Sequence, residues 1–420
     1  MDRRSFLLGT GTLALSQLLF GCGGNNQRQL KVELLKGSIP GQVVNQFQKG
    51  LQQQVELKFA PVEQIQDLFE QLQQNWRQKQ LEAANQQKPS PFFQRIQNLF
   101  ESIQGLFEWI KNGRRKPKAT DADLVTLGDY WLKAAIEQNL IESFEKEEVN
   151  QLKQWSALDE KWKKLVTRND KGDLDIQGKV WGAPYRWGST MIVYNRDKFQ
   201  ELGWTPRDWS DLWRHGLQQR ISLLNQPREV VGLVLKKLGK SYNTENLDQV
   251  PDLEKELQIL NQQVKFYSSN NYLEPLIMGD TWLAVGWSSD ILPVLGRYPQ
   301  LAAVIPQSGT AIWADLWVRP KGITWVGSEG IIRGTLSKQW IDFCWQPSIA
   351  KQISVLTKSN SPISTNITAS DIQEPLWNLL HSDVYDGLRL GKVLDKSEFL
   401  LPLLPSVIKQ YESLFAKIKV

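Results

Sequence analysis

Short apolar runs alternate with segments of helical period along most of this chain, and that alternation is its strongest constraint. Leu30 to Leu35 reads as a strand, Val43 to Leu51 as a helix and Val55 to Phe59 as a second strand, and the rhythm continues to about residue 330. This order builds α/β layers on mainly parallel sheets, because parallel neighbours need a crossover and a helix supplies it. Beyond residue 336 the chain reads as mostly helical. A length of 420 residues exceeds what one core usually holds, so two domains are expected. The 18 Trp are more indole than cores usually need, which points to an aromatic-lined binding surface.

The start, MDRRSFLLGTGTLALSQLLFGCGG, carries Arg3 and Arg4 and then an apolar run from Phe6 to Phe20, too short for an ordinary transmembrane helix. Arg-Arg-Ser-Phe-Leu resembles a twin-arginine export signal. Leu19-Phe20-Gly21-Cys22 resembles a lipobox, in which the cysteine is lipidated and becomes the new N-terminus. Residues 1–22 are therefore expected to act as a signal peptide, placing the body in the periplasm on a lipid anchor at Cys22. Cys344 is then left without a partner and is expected as a buried helix residue.

Residues 71–120 break the rhythm. Phe92, Phe93, Ile96, Leu99, Phe100, Ile103, Leu106, Phe107 and Ile110 recur at spacings of three and four, which predicts an amphipathic helix. The same stretch holds nine Lys and Arg against three acids, a net charge of +6 in a chain whose total is +5. The basic character is local to this insert, which argues against a nucleic-acid partner. Two readings of the insert stand: a helical hairpin packed on the body, or a surface that contacts anionic lipid or a membrane partner.

Catalytic signatures are missing. HExxH, CxxC and GxSxG do not occur, and the only histidines, His215 and His381, stand alone. GLRLGK at 387–392 has one residue too few between its glycines for a phosphate-binding loop. An enzyme is not expected, nor is a metal site or a cofactor.

The stretch SGTAIWADLW at 308–317 sets Trp313, Asp315 and Trp317 two apart, on one face if the segment is a strand. A carboxylate between indoles suits an organic cation, since indole faces attract ammonium groups and the carboxylate supplies the counter-charge. An outward-facing strand surface with no ligand would carry the same residues.

Several blocks in order resemble the spermidine/putrescine-binding proteins of bacterial ABC transporters: ADLVTLGDYWLKAAIEQNLIE (122–142), VWGAPYRWGSTMIVYNRDKF (180–199), the segment 209–246 containing PREVV, MGDTWLAVGWSSD (278–290), and IWADLWVRPKG. The resemblance implies the type II periplasmic binding fold, two α/β lobes joined by crossing strands with a ligand cleft between them. STMIVYN would be the first crossing and ADLWVRP the return. The implied lobes are 30–193 with about 315–350, carrying the insert, and 194–314 with about 351–420, including the C-terminal helices. The function implied is capture of a polyamine or similar organic cation, by a monomer that delivers it to an ABC permease.

Carried over position by position, Trp313 and Asp315 match the pocket's aromatic and key carboxylate. Trp287 matches a second aromatic wall, Tyr130 a tyrosine, Ser269 a hydroxyl and Glu229 the carboxylate for a terminal amine. Gln226 stands where a second such carboxylate is expected, and Asp129 beside Tyr130 is the candidate to replace it. The loop LKGSIP lacks the aromatic pair and acid of the resembled family. These departures leave open a ligand that is shorter or less charged than the family's usual one, a different small solute, or a membrane-associated protein with a vestigial cleft.

Overall fold

The computed structural model describes residues 28–52, 54–86, 120–322, 327–363 and 394–419. The signal segment with Arg3, Arg4 and Cys22, the amphipathic helix expected around 92–110, His381 and GLRLGK lie outside the described residues.

The described strands are β1 (Gln29–Leu35), β2 (Glu56–Val62), β3 (Leu124–Gly128), β4 (Ile141–Glu142), β5 (Thr167–Arg168), β6 (Lys179–Val180), β7 (Ala183–Asn195), β8 (Ile221–Leu223), β9 (Val264–Tyr267), β10 (Leu283–Trp287), β11 (Leu301–Val304), β12 (Ala311–Pro320) and β13 (Glu398–Phe399). The main sheet runs β2-β1-β3-β12-β7-β10-β8-β9, with β4 and β13 on β12 and β11 on β7, while β5 and β6 pair separately. β2, β1 and β3 are mutually parallel, as are β10, β8 and β9. The two long central strands β7 and β12 run antiparallel to each other, β12 to β3 and β7 to β10, so they join two parallel halves.

Each half has its own core. One gathers Leu30, Val32 and Leu34 of β1, whose alternate residues are buried as period two requires, with Leu124, Tyr185, Trp187, Leu316, Trp317, Trp340 and Trp345. The other half holds two clusters, one around Ile192, Tyr194, Val234, Leu283 and Tyr411 and a smaller one around Met191, Val193, Tyr272 and Ala284. β7 therefore passes from one half to the other between Trp187 and Met191, and β12 returns between Ala311 and Ile312.

Two boundaries differ from expectation. The helix that begins at Ile65 runs on to Gln86, and Leu68, Phe69 and Leu72 bury one face of it, so residues just past 71 continue the first half's helical layer instead of opening the insert. The chain after 351 does not all belong to the second half. Ile353, in the helix Pro347–Thr357, and Ile363 pack in the first core, and among the described residues Leu400 and Leu403 onward pack against the second. There the helix Pro405–Ile418 is tied down where the Tyr411 hydroxyl donates to the Tyr242 and Thr244 carbonyls.

Cys344 is buried at the end of the helix Gly327–Cys344. No helix among the described residues is long and apolar enough to cross a membrane.

Candidate functional site

The local sequence fixes where the polar groups point. On β7, Arg186, Gly188 and Thr190 alternate onto one face. On β12, Asp315 pairs with Arg186 and Trp313 with Gly188 in register. The Trp313 indole lies over Gly188, where any Cβ would collide with the ring and with the Ser288 hydroxyl, so only glycine admits this packing. In the second half, Pro227 opens the helix Pro227–Lys237 with its preset φ, placing Gln226 at the N-cap and Glu229 in the first turn, where a carboxylate opposes the helix dipole favourably. Asp129 takes the same place in the helix Asp129–Glu137, directly after β3.

Between the halves lies a cavity of about 430 Å³. All eight residues expected at a site, Asp129, Tyr130, Gln226, Glu229, Ser269, Trp287, Trp313 and Asp315, line it. The helix Asp129–Glu137 and strand β12 supply four of them to one wall, and the remaining four come from the second half. Arg186, Arg228, Trp131 and Asp290 line it as well.

The polar groups divide into committed and uncommitted ones. Asp315 is committed: its Oδ2 accepts from Arg186 Nε at 2.6 Å, both side chains being almost fully buried. This corrects the expectation that Asp315 stands free between indoles as a counter-charge, for a guanidinium already occupies that place and lies 5.5 Å from the Trp313 ring centroid. Burial opposes the Arg186 charge, but Asp315 holds its pKa above the ordinary value. Asp129 is partly committed, since its Oδ1 accepts from the Ala314 backbone N–H at 2.9 Å and so ties β12 to the helix start. Burial pushes its carboxyl up to about 7, against the backbone bond and the nearby Arg168.

Glu229 has only neutral partners. Its carboxylate accepts from Thr190 Oγ1 at 3.0 Å and from Trp287 Nε1 at 3.2 Å, and it makes no ion pair among the described residues. Burial pushes it, too, up to about 7. The adjacent Arg228 opposes this rise by its charge but does not pair with the carboxylate, because its terminal donors go to the Leu401 and Tyr242 carbonyls and to Asn243. Asp290 is held by the Tyr272 hydroxyl at 3.0 Å, and the same hydroxyl accepts from the Trp287 backbone N–H. Tyr130 stands exposed at the rim, edge-on to Trp131. Ser269 accepts from the Asn225 N–H, and Gln226 makes no capping bond. Trp317 is apart from all of this, fully buried and stacked on Tyr185 at 4.1 Å.

Sequence reasoning passed over Arg186, Thr190 and Asp290. Arg186 carried a readable signal: a charged residue inside a strand that is otherwise apolar, aromatic or small must find a buried counter-charge. Thr190 and Asp290 carried none, because their roles depend on which helix end faces them. Among the described residues no cluster of three or more acidic, His or Cys side chains could hold a metal ion.

With this geometry in hand, the chain can be placed among known proteins. Residues 121–380, more than half of it, match the family of bacterial extracellular solute-binding proteins. Among curated relatives, the spermidine/putrescine-binding periplasmic protein of Salmonella typhimurium is 28% identical over 46% of this chain and 52% of its own length. That of Escherichia coli is 27% identical over 60% of this chain and 66% of its own length. The matched region thus spans between half and two thirds of these relatives. The fold is shared much more widely. The spermidine/putrescine substrate-binding protein PotD of Streptococcus pneumoniae superimposes with a TM-score of 0.66 at 17% identity, covering 94% of this chain and 99% of that one. A periplasmic thiamin binding protein does so at 0.54 and 13%, covering 96% and 98%. These likenesses show a shared fold. The chain belongs to the bacterial extracellular solute-binding proteins, a family of binding proteins and not of enzymes.

Proposed function

We propose that this protein is the solute-capturing component of a bacterial ABC importer, holding a polyamine or a similar organic cation between its two lobes. The observation that carries the reading is Glu229: a buried carboxylate at the cleft, beside an indole, whose partners are all neutral donors. Ionising such a group without a positive partner is costly, and a ligand ammonium supplies the missing charge while the Trp287 and Trp313 faces take its methylenes. Asp129, raised by burial in the same cavity, adds to the demand for positive charge. The names of the curated relatives, spermidine/putrescine-binding proteins, support the same class of ligand.

Contacts come from both halves of the chain, so ligand binding favours a closed arrangement of the lobes by as much as it binds that form more tightly. Cys22 is the proposed lipid anchor and Arg3 and Arg4 the export signal, which would place a monomer in the periplasm next to its permease. Isothermal calorimetry with putrescine, spermidine, monoamines, amino acids and neutral and anionic solutes tests the reading. Binding of a solute that carries an amino group, weakened at least tenfold in Glu229→Gln, is expected. Binding of a neutral or purely anionic solute alone would overturn it.

A further inference from the structure

The floor of the cleft carries a positive fork as well as a negative group. Arg186 spends its Nε on Asp315 and makes no other hydrogen bond among the described residues, although it is 96% buried (4% exposed). Its two Nη atoms are not among the side-chain atoms sealed from solvent without a partner, so the little surface the residue keeps belongs to the cavity that it lines. Unpaired guanidinium donors of this kind match a carboxylate, which accepts two parallel N–H bonds from them.

The face of β7 sets the order of groups along the floor. Arg186 leads, Gly188 follows under the Trp313 ring, and Thr190 comes last, bonded to Glu229. Four residues of strand separate the ends by about 13 Å. The Arg186 guanidinium lies 5.5 Å from the Trp313 centroid, over the stretch of floor between the ends. A second ammonium placed at the Arg186 end would meet a like charge whose counter-ion is already taken. Asp290 lines the same cavity from the second half, held by the Tyr272 hydroxyl, and its charge acts on Arg186.

We infer that the ligand is a zwitterion of the ω-amino acid type, its carboxylate on the Arg186 fork, its short methylene chain on Trp313 and its ammonium at Glu229 beside Trp287. This rests on the reading that the cleft takes an ammonium group at Glu229 and puts an amino acid in place of the polyamine; Arg186 becomes the residue that discriminates against diamines.

The test is calorimetry on the purified protein with γ-aminobutyrate, δ-aminovalerate and ε-aminocaproate, each against the diamine and the monoamine of matching length, and against valerate. At least one ω-amino acid is expected to bind ten or more times tighter than its matched diamine and monoamine. Arg186→Gln should lose that ω-amino acid at least tenfold and leave the diamine no weaker. If Arg186→Gln does not fold, Arg186→Lys keeps a charge beside Asp315 without the fork and should show the same loss. A diamine or monoamine that binds as well as every ω-amino acid, or an Arg186→Lys protein with undiminished affinity, overturns the inference and leaves the cation reading standing. Valerate binding with no amine bound at all overturns both.

Discussion

Replacing Asp315 by Asn leaves the Arg186 guanidinium buried between β7, β12 and the Trp313 ring without its ion-pair partner. Two unit charges 2.6 Å apart attract by about 6 kcal/mol at an effective dielectric constant of about 20. Part of that is offset by the cost of removing both groups from water, and breaking a buried pair by losing one partner typically destabilises by about 3–5 kcal/mol. Asp315→Asn and Arg186→Met should each fall in this range by urea unfolding. The double variant, which buries no lone charge, should cost less than the two together by at least about 1.5 kcal/mol. A carboxylate held free for a ligand behaves in the opposite way, since its removal leaves the unliganded protein unchanged or more stable. An Asp315→Asn protein as stable as wild type, or single effects that add within about 0.5 kcal/mol, would refute the coupling drawn from the geometry.

Three further outcomes follow from the site and its surroundings. The Glu229 carboxyl is raised from 4.5 to about 7, so the folded state favours its protonated form: that stability is fully present below about pH 4.5 and is lost as pH rises through about 7. Urea unfolding from pH 4 to 8 should therefore show wild type losing about 3 kcal/mol relative to Glu229→Gln, and a constant difference would contradict the burial of this group. Gly188→Ala sets a methyl group against the Trp313 ring and the Ser288 hydroxyl, and should cost about 1–3 kcal/mol by overpacking while weakening the ligand in calorimetry; unchanged affinity would remove Trp313 from the site. Cys344 is fully buried with its thiol pushed far up by burial, so a thiol reagent should label it only at the rate of unfolding, and prompt labelling in native buffer would contradict its placement.

Much of the fold was legible because it rests on local period. β1, the helix after it and β2 fall within a few residues of their expected bounds, since alternate burial and the three-and-four spacing are written in the residues themselves. What was not legible depends on contacts between distant segments. The helix Ile65–Gln86 crosses the place where the apolar pattern weakens, and only the sheet beneath it shows that Leu72 still faces inward. The attachment of the helix Pro347–Thr357 to the first core is likewise a tertiary choice, made by where β12 delivers the chain.

The site divides in the same way. Its eight expected residues meet around one cavity because six lie at or just past a strand end or helix start that the α/β plan brings to the cleft, while Trp313 and Asp315 lie near the point where β12 crosses between the halves. Their chemistry was harder to read, because a carboxylate's role is set by what faces it. The Trp-Asp-Trp stretch shows this most clearly. Read alone, it offers a counter-charge between two aromatic walls, but antiparallel pairing with β7 delivers Arg186 to Asp315 and Gly188 to Trp313, while Trp317 stacks on Tyr185 inside the first core. The pair is neutral as a unit, so the charge that still needs a partner sits on Glu229, against Thr190 four residues further along β7, and the donors that still need an acceptor sit on Arg186. A cleft with unmet needs of both signs selects for a ligand that carries both, and neither strand shows this until the two are paired.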